Sequence, residues 1–193
     1  MTPWHLRQAA RALRHGGIIA YPTEAVYGLG CDPLNATAVL RLLALKKRPV
    51  EKGLILIAND FQQLAPFVRA PDPDMMRRIS ATWPGPITWL LPAKVETPAW
   101  LRGAHDTLAV RVTAHPQAAA LCRAFGGALV STSANPAGRP PARQPLRVRH
   151  YFNHYSSHYS KRPLDYILHG AVYSHTKPTE IRDALTGKVI RPA

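Results

Sequence analysis

Apolar residues recur along the chain at two spacings, one typical of helices and one typical of buried strands. Thr2-Pro3 is a typical helix start, and helical spacing then continues until Gly16-Gly17. A second helical pattern covers about residues 35–47, a short third one begins at Asp72-Pro73, and a fourth covers 116–125. We therefore predict helices over these segments.

Short apolar runs between these segments predict the strands of a buried sheet. They cover residues 18–21, 54–58, 87–91, 107–112 and 128–130. Two further runs, 181–184 and 188–191, flank Thr186-Gly187 and predict a hairpin. Because strands alternate with helices and the hairpin is antiparallel, we expect an α/β fold with an open mixed sheet and flanking helices.

Length and composition narrow the class of protein. A chain of 193 residues suits one core, so we expect a single domain over 1–193. The apolar runs fall short of the roughly 18 residues of a membrane helix, and the first residues do not resemble a secretion signal. We expect a cytoplasmic protein with no membrane contact. Cys31 and Cys122 lack metal-site spacing and predict free thiols.

The net charge of +14 is the strongest compositional feature. A surface this basic attracts polyanions, which favours a nucleotide, RNA or both as partners. The alternative is that the charge serves solubility alone.

Residues 136–163 interrupt the alternation of strands and helices. Prolines at 136, 140, 141 and 145 predict an extended connection that could lie over a site as a lid. A four-residue His-Tyr repeat follows, with histidines at 150, 154 and 158. A polar surface segment is the simplest interpretation, RNA contact by stacking is a second, and zinc binding from one helix face is a third.

The first motif with chemical content is YPTEAVYGLG, residues 21–30, directly after a predicted strand. The ends of strands are common ligand sites in α/β proteins. Gly28-x-Gly30 alone is a weak indication, since Pro33 occupies the position of the third glycine of a dinucleotide fingerprint. The chain also lacks the Gly-Lys-Ser/Thr phosphate loop, so both of these nucleotide-binding classes are disfavoured.

The second motif is the basic cluster at Lys46, Lys47 and Arg48, at the end of a predicted helix. Cations at this end of a helix can simply complement its dipole. However, Pro49 and Gly53 would hold the cluster rigidly against the next strand. A rigid mount for cations suits a triphosphate.

The third motif is the sequence LVSTSANPAG, residues 129–138, in which a strand leads into hydroxyl and amide side chains. Such residues form ordinary turns, but they can also line a phosphate or ribose pocket. The sequence offers no evident catalytic triad, pair of acids or activated cysteine. A site rich in cations and hydroxyls instead favours phosphoryl or nucleotidyl transfer by positioning and charge neutralisation.

Taken together, these motifs resemble the YrdC family. The resemblance is carried, in chain order, by residues 21–30, Lys46-x-Arg48-Pro49, WPGP at 83–86, LAVRV at 108–112, STSAN at 131–135 and PTEIRD at 178–183. It implies a twisted, open α/β sheet of the YrdC type around a positively charged concave site.

The resemblance also implies a reaction, in which L-threonine, bicarbonate and ATP form threonylcarbamoyl-adenylate and pyrophosphate. The product would serve threonylcarbamoylation of adenosine 37 in tRNA, through downstream threonylcarbamoyl-transferase proteins. Mg²⁺ would be held mainly by the phosphates. The ATP-binding residues that the resemblance implies are Lys46, Arg48, Thr107, Ser133, Asn135 and Arg191, of which Lys46 and Arg48 would be catalytic, and the threonine-binding residues are Thr23, Arg111, Ser131 and Thr179.

An alternative function stays open at this stage. A YrdC-type fold with this charge could be an RNA-binding module, for tRNA or double-stranded RNA, without adenylating activity.

Overall fold

The computed structural model describes residues 2–153, 163–173 and 179–192, and its centre is a nine-stranded mixed sheet. The strands are β1 (Ile19–Pro22), β2 (Tyr27–Gly30), β3 (Ile55–Ala58), β4 (Thr88–Pro92), β5 (Thr107–Val112), β6 (Leu129–Ser133), β7 (Tyr166–Ile167), β8 (Ile181–Asp183) and β9 (Val189–Arg191). Their order across the sheet is β7-β1-β2-β6-β3-β5-β4-β8-β9.

Neighbouring strands pair in both directions, which confirms the predicted mixed sheet. The pairs β1/β7, β3/β5 and β4/β8 are parallel, and the others are antiparallel. Strand β6 lies in the middle, with Ser133 opposite Gly28 of β2 and Ser131 opposite Ile55 of β3. It therefore joins the β1/β2 hairpin to the rest of the sheet.

Six α-helices flank the sheet in the described residues. They are α1 (Pro3–Arg14), α2 (Ala36–Lys46), α3 (Pro73–Ser80), α4 (Ala99–Arg102), α5 (Pro116–Phe125) and α6 (Pro145–Asn153), with a 3₁₀ turn at Val50–Lys52. Side-chain caps explain several of the starts: Asn35 accepts from the Ala38 N–H, and Asp72 accepts from the Met75 N–H. No helix in the described parts is both long and apolar enough to span a bilayer.

The two faces of the sheet are covered by different groups of residues. On one face, Ile57 and Leu129 belong to a small apolar cluster with residues of α1 and α5. Their neighbours Leu56 and Val130 point the other way, into the larger core. Ser131 follows Leu129 by two residues, and Arg111 pairs with Ile57. Alternation and register therefore place the polar site on the α1/α5 face.

The segment 136–163 differs from the prediction, because residues 145–153 form helix α6 rather than extended chain. Pro145 occupies the start of the helix, where a missing N–H costs little. Val148 and Phe152, four residues apart on one face, are buried, whereas His150 is exposed on the surface of the helix. His150 lies in α6, whereas the repeat's His154 and His158 lie outside the described residues, as does Pro178 of the motif at 178–183.

Two further differences concern strands next to the motifs. Strand β6 continues through Ser133, so the serines predicted for a loop belong to the sheet. Residues 27–30, which the sequence placed in a motif after a strand without assigning them a strand of their own, form β2 and complete a hairpin with β1. Burial of Tyr27 and Leu29 in the larger core explains why this glycine-rich stretch is a strand.

Candidate active site

A cleft of about 490 Å³ opens beside β6 and contains most of the residues predicted for the site. Two other clefts, of about 730 and 630 Å³, are larger but contain none of them. Chemistry rather than size therefore identifies the candidate. The predicted residues that line it are Thr23, Arg48, Arg111, Ser131, Ser133, Thr179 and Arg191.

One wall of the cleft consists of hydroxyl groups and a glycine. Ser131 and Ser133 alternate along β6 and so project to the same face, opposite Gly28 of β2. A Cβ at Gly28 would lie 3.3 Å from the Thr23 side chain and 3.4 Å from Ser131 Oγ. The glycine therefore leaves room between these hydroxyls. The Thr23 hydroxyl donates to the Val26 carbonyl at 2.7 Å and closes the turn between β1 and β2.

Lys46, the last residue of α2, does not line the cleft but lies behind it. Its ammonium donates to the carbonyls of Ser133 and Asn135, the latter at 2.9 Å, and is 3.3 Å from the Asn135 side-chain oxygen. Burial, with a smaller contribution from Arg48, lowers its pKa to about 8. In this arrangement Lys46 ties helix α2 to the chain that follows β6.

Arg48 lines the cleft and is anchored by its own local chain. Its Nε and Nη2 donate to the Gly53 carbonyl at 3.2 and 2.9 Å, and Nη2 donates to the Lys52 carbonyl at 3.3 Å. Lys47, in the left-handed conformation with φ 48°, turns the chain between α2 and Arg48. Burial lowers the pKa of Arg48 below its ordinary value.

Arg191 enters the cleft from β9, at the far edge of the sheet. Its Nη2 donates to the Thr179 carbonyl at 2.7 Å. Burial, and then the nearby positive charges of Arg111 and Arg48, lower its pKa. Arg191 therefore lies close enough to the guanidinium groups of Arg111 and Arg48, which come from distant parts of the chain, to be repelled by both. A bound anion would relieve that repulsion.

Two predicted ATP-binding residues have other positions. Asn135 supports the loop after β6, because its Nδ2 donates to the carbonyls of Arg139 at 2.7 Å and Pro136 at 3.1 Å. Thr107 is the first residue of β5, opposite Pro92, and is not among the residues that line the cleft.

The partners of Arg111 were not predicted from the sequence. Nη1 of Arg111 donates to the hydroxyls of Thr88 at 3.2 Å and Thr179 at 3.0 Å, and Nη2 lies 3.4 Å from Oε2 of Glu24. Both charged side chains of this ion pair are almost fully buried. An arginine in the apolar strand LAVRV was the available signal, because a buried cation needs a counter-charge.

Glu24 is held in its ionised form despite its burial. Burial alone would raise the pKa of this carboxyl. Attraction to Arg111 and the hydrogen bond that Thr113 donates to Oε1 at 2.6 Å outweigh that effect and lower the pKa below its ordinary value. Arg111 therefore keeps a permanent negative charge beside it at neutral pH.

Arg143 also lines the cleft, on the side of the proline-rich connection. It donates to the Ala25 carbonyl at 2.9 Å and to the Tyr173 carbonyl at 3.0 Å. These contacts tie the turn after β1 to the segment before Thr179. The arrangement as a whole offers cations and hydroxyls to an anionic ligand. Within the residues described, no group of three or more His, Cys, Asp or Glu side chains could hold a metal ion.

Comparison with protein families identifies the fold. The family model for Sua5, YciO and YrdC proteins, described as a telomere recombination family, matches residues 11–193. This chain belongs to the Sua5/YciO/YrdC family. The resemblance drawn from the ordered motifs is thereby confirmed.

Relatives of this Sua5/YciO/YrdC member match along nearly its whole length. The threonylcarbamoyl-AMP synthase of Nitrosococcus oceani is 55% identical over 188 residues, which are 97% of this chain and 97% of the relative. The protein of the same name from Halorhodospira halophila is 54% identical over 189 residues, covering 98% and 95%.

A solved structure shares the fold of this Sua5/YciO/YrdC member. P. abyssi Sua5 complexed with L-threonine is 30% identical and superposes with a TM-score of 0.88. The match covers 100% of this chain and 55% of that one, so the present chain spans about half of that Sua5. The expected twisted, open α/β sheet with flanking helices is thereby confirmed.

Proposed function

We propose that this chain is a threonylcarbamoyl-AMP synthase, which joins L-threonine, bicarbonate and ATP and releases pyrophosphate. The observation that carries the proposal is the meeting of Arg48, Arg111 and Arg191 with serine and threonine hydroxyls in one cleft. Full-length relatives named threonylcarbamoyl-AMP synthase at about half identity support it. The product would serve threonylcarbamoylation of adenosine 37 in tRNA, in the cytoplasm.

The reaction has to bring two anions together. Bicarbonate-derived CO₂ forms an N–C bond with the amine of L-threonine, and the hydroxide that bicarbonate leaves takes up the amine proton. A carbamate oxygen then attacks the α-phosphorus of ATP, and the bond from that phosphorus to pyrophosphate breaks. Both reactants carry negative charge, so a cleft lined with cations lowers the barrier by screening their repulsion and stabilising the leaving pyrophosphate.

The cations and hydroxyls divide naturally into two groups around Ser131 and Ser133. Arg48 and Arg191 would bind the phosphates, and Ser133 would contact the nucleotide. Lys46 would contribute its charge from behind the cleft while holding the loop at Asn135, which shapes the nucleotide pocket. Thr107 does not line the cleft, so it would contact ATP only at the margin of the nucleotide pocket.

The second group would bind L-threonine. Arg111 offers a planar fork that suits the α-carboxylate. The hydroxyls of Thr23, Ser131 and Thr179 would position the amine and the side-chain hydroxyl of the substrate. Segment 136–163 would act as a lid.

Mg²⁺ would accompany the nucleotide in this proposal. The described residues provide no set of three acidic or histidine ligands, and Glu24 lies behind Arg111. The ion would therefore be held by phosphate oxygens, where it would neutralise charge on the phosphates.

The decisive experiment measures pyrophosphate release while each substrate is omitted in turn. Turnover should require L-threonine, bicarbonate and ATP together, and release of pyrophosphate without L-threonine would contradict the proposal. The variant Arg48→Ala should lower kcat/KM for ATP by about 10- to 100-fold, since a charge-assisted contact to phosphate is lost. Arg77→Ala is the matched control, because within the described residues the side chain of this exposed arginine pairs only with Asp74, across one helical turn.

RNA binding is a second candidate function, which the charge of +14 favours. Phosphate contacts would make affinity for tRNA or double-stranded RNA fall steeply with salt. It can coexist with catalysis, and passing the product to a threonylcarbamoyl-transferase bound to the same tRNA would use both. Filter binding across a salt series tests it, and affinity that does not change with salt would reject it.

A further inference from the structure

The side chain of Glu24 is linked to the cleft by its ion pair with Arg111. It is buried, and it is not among the residues that line the cleft. A carboxylate in that position would repel the anionic substrates that the cleft would bind. Its presence there requires an explanation other than substrate binding.

Arg111 divides its polar contacts between the Glu24 carboxylate and two threonine hydroxyls. Both Nη1 protons of Arg111 go to hydroxyls, those of Thr88 and Thr179. Oε2 of Glu24 lies 3.4 Å from Nη2, in an ion pair without a hydrogen bond. Among the described residues, neither Oε2 of Glu24 nor Nε of Arg111 has a hydrogen-bond partner. Glu24 and Arg111 are thus close enough to attract each other by charge, but they do not form the two parallel hydrogen bonds of a bidentate arginine–carboxylate pair.

Hydrogen bonds hold both the side chain and the backbone of Glu24 in place. Thr113 donates to Oε1 at 2.6 Å, and the same Thr113 oxygen accepts from the His115 N–H at 3.1 Å. The amide occupies a lone pair, so the hydroxyl proton points to Glu24. The Glu24 carbonyl also accepts from the Tyr173 N–H at 3.1 Å. These contacts hold the Glu24 carboxylate in one position beside the Arg111 guanidinium.

From this geometry we propose that Glu24 is a positioning residue, which orients the Arg111 guanidinium toward the α-carboxylate of the amino-acid substrate. The inference rests on the proposed function, because it deepens the role of Arg111 there. A saturated contact would compete with the substrate carboxylate, and no counter-charge at all would leave Arg111 free to turn toward the phosphates. Glu24 thereby sets selectivity for a free carboxylate.

The test compares binding of L-threonine and L-threoninamide, which lacks the carboxylate charge, by calorimetry. Wild-type protein should prefer L-threonine strongly. In Glu24→Gln the affinity for L-threonine should fall by about 10- to 100-fold, since one charge-assisted contact loses its geometry, while affinity for L-threoninamide changes little. The affinity for ATP should stay the same. An unchanged ratio between the two ligands would overturn the inference.

Two comparisons separate positioning from general destabilisation. Thr97→Val removes another buried hydroxyl, which donates to the Phe67 carbonyl at 2.6 Å, and should lower stability without changing the ligand ratio. Thr113→Val keeps the charge of Glu24 but removes the hydrogen bond that holds its carboxylate in place. This variant should partly reduce the ratio of the affinities for L-threonine and L-threoninamide. If Glu24→Gln does not fold, Thr113→Val decides alone, and a wild-type ratio in that variant would count against the inference.

A double-mutant cycle with Arg111→Lys tests whether the two residues act together. Once Arg111 has lost its planar fork, adding Glu24→Gln should cause little further loss of L-threonine affinity. Additive losses would contradict positioning through Arg111. Wild-type protein that does not bind L-threonine would refute the proposed function itself, whereas normal wild-type binding with an unaffected Glu24→Gln variant would refute only this inference.

Discussion

Raising the pH should stabilise this protein through Lys46. Its ammonium is buried against neutral carbonyl groups, and its hydrogen-bond partners within the part of the chain that is described include no carboxylate. The pKa in the folded protein is about 8, against an ordinary value of 10.5. Between these values the unfolded chain binds a proton that the folded protein has lost. Stability therefore rises with pH across this window.

The size of the effect follows from the difference between the two pKa values. The gap between about 8 and 10.5 corresponds to about 3 kcal/mol of unfolding free energy. That is a substantial share of the stability of an ordinary domain, which is about 5–15 kcal/mol. Burying the charge is thus costly below about pH 8, where the reaction would need it.

Urea denaturation followed by tryptophan fluorescence measures this effect, with Lys46→Met as the reference. Other groups that titrate at high pH, including the buried thiols of Cys31 and Cys122, are common to both proteins and cancel in the difference. Wild type should gain about 3 kcal/mol relative to Lys46→Met between about pH 8 and pH 10.5. Parallel stability curves for the two proteins would refute the reasoning.

Two further predictions concern the frame around the cleft. Gly103 has φ +65°, and a Cβ there would lie 2.3 Å from the Glu51 carbonyl oxygen, so Gly103→Ala should cost about 2–4 kcal/mol in thermal or urea unfolding. Gly126→Ala, with φ +94° but nothing within 4 Å, should cost only about 1–2 kcal/mol, and equal losses would contradict the clash. Tyr27→Phe removes hydroxyl contacts to the Gly170 carbonyl at 2.6 Å and N–H at 3.0 Å, and should cost about 1–3 kcal/mol. A wild-type melting curve would show that these contacts do not stabilise the fold.

Most helices and strands could be predicted because their signals are local. Asn35 and Asp72 cap helices whose apolar spacing is regular, and the bounds of α1, α2 and α5 lie within one or two residues of the prediction. β2 and β7 could not, because the first contains two glycines and the second is only two residues long. Both strands exist through pairing with β1, which local sequence does not encode.

The residues of the candidate site also fall into two groups, those that local sequence motifs indicate and those whose contacts depend on the fold. Arg48 and Ser133 lie in motifs that indicate phosphate chemistry, and both line the cleft. Other details depend on distant parts of the chain. Lys46 turns toward carbonyls after β6, and the charge of Arg111 meets Glu24 from the β1/β2 turn. No spacing along the sequence reports these tertiary contacts.

The central position of β6 in the sheet affects how the protein folds while it is being synthesised on the ribosome. Residues 129–133 emerge only after β1 to β5 have been made, so until then β2 and β3 each expose an unpaired edge. Such edges invite pairing with other chains. Insertion of one late strand both seals these edges and delivers Ser131 and Ser133. A nascent chain is therefore exposed to aggregation until the moment it gains its serine-lined wall.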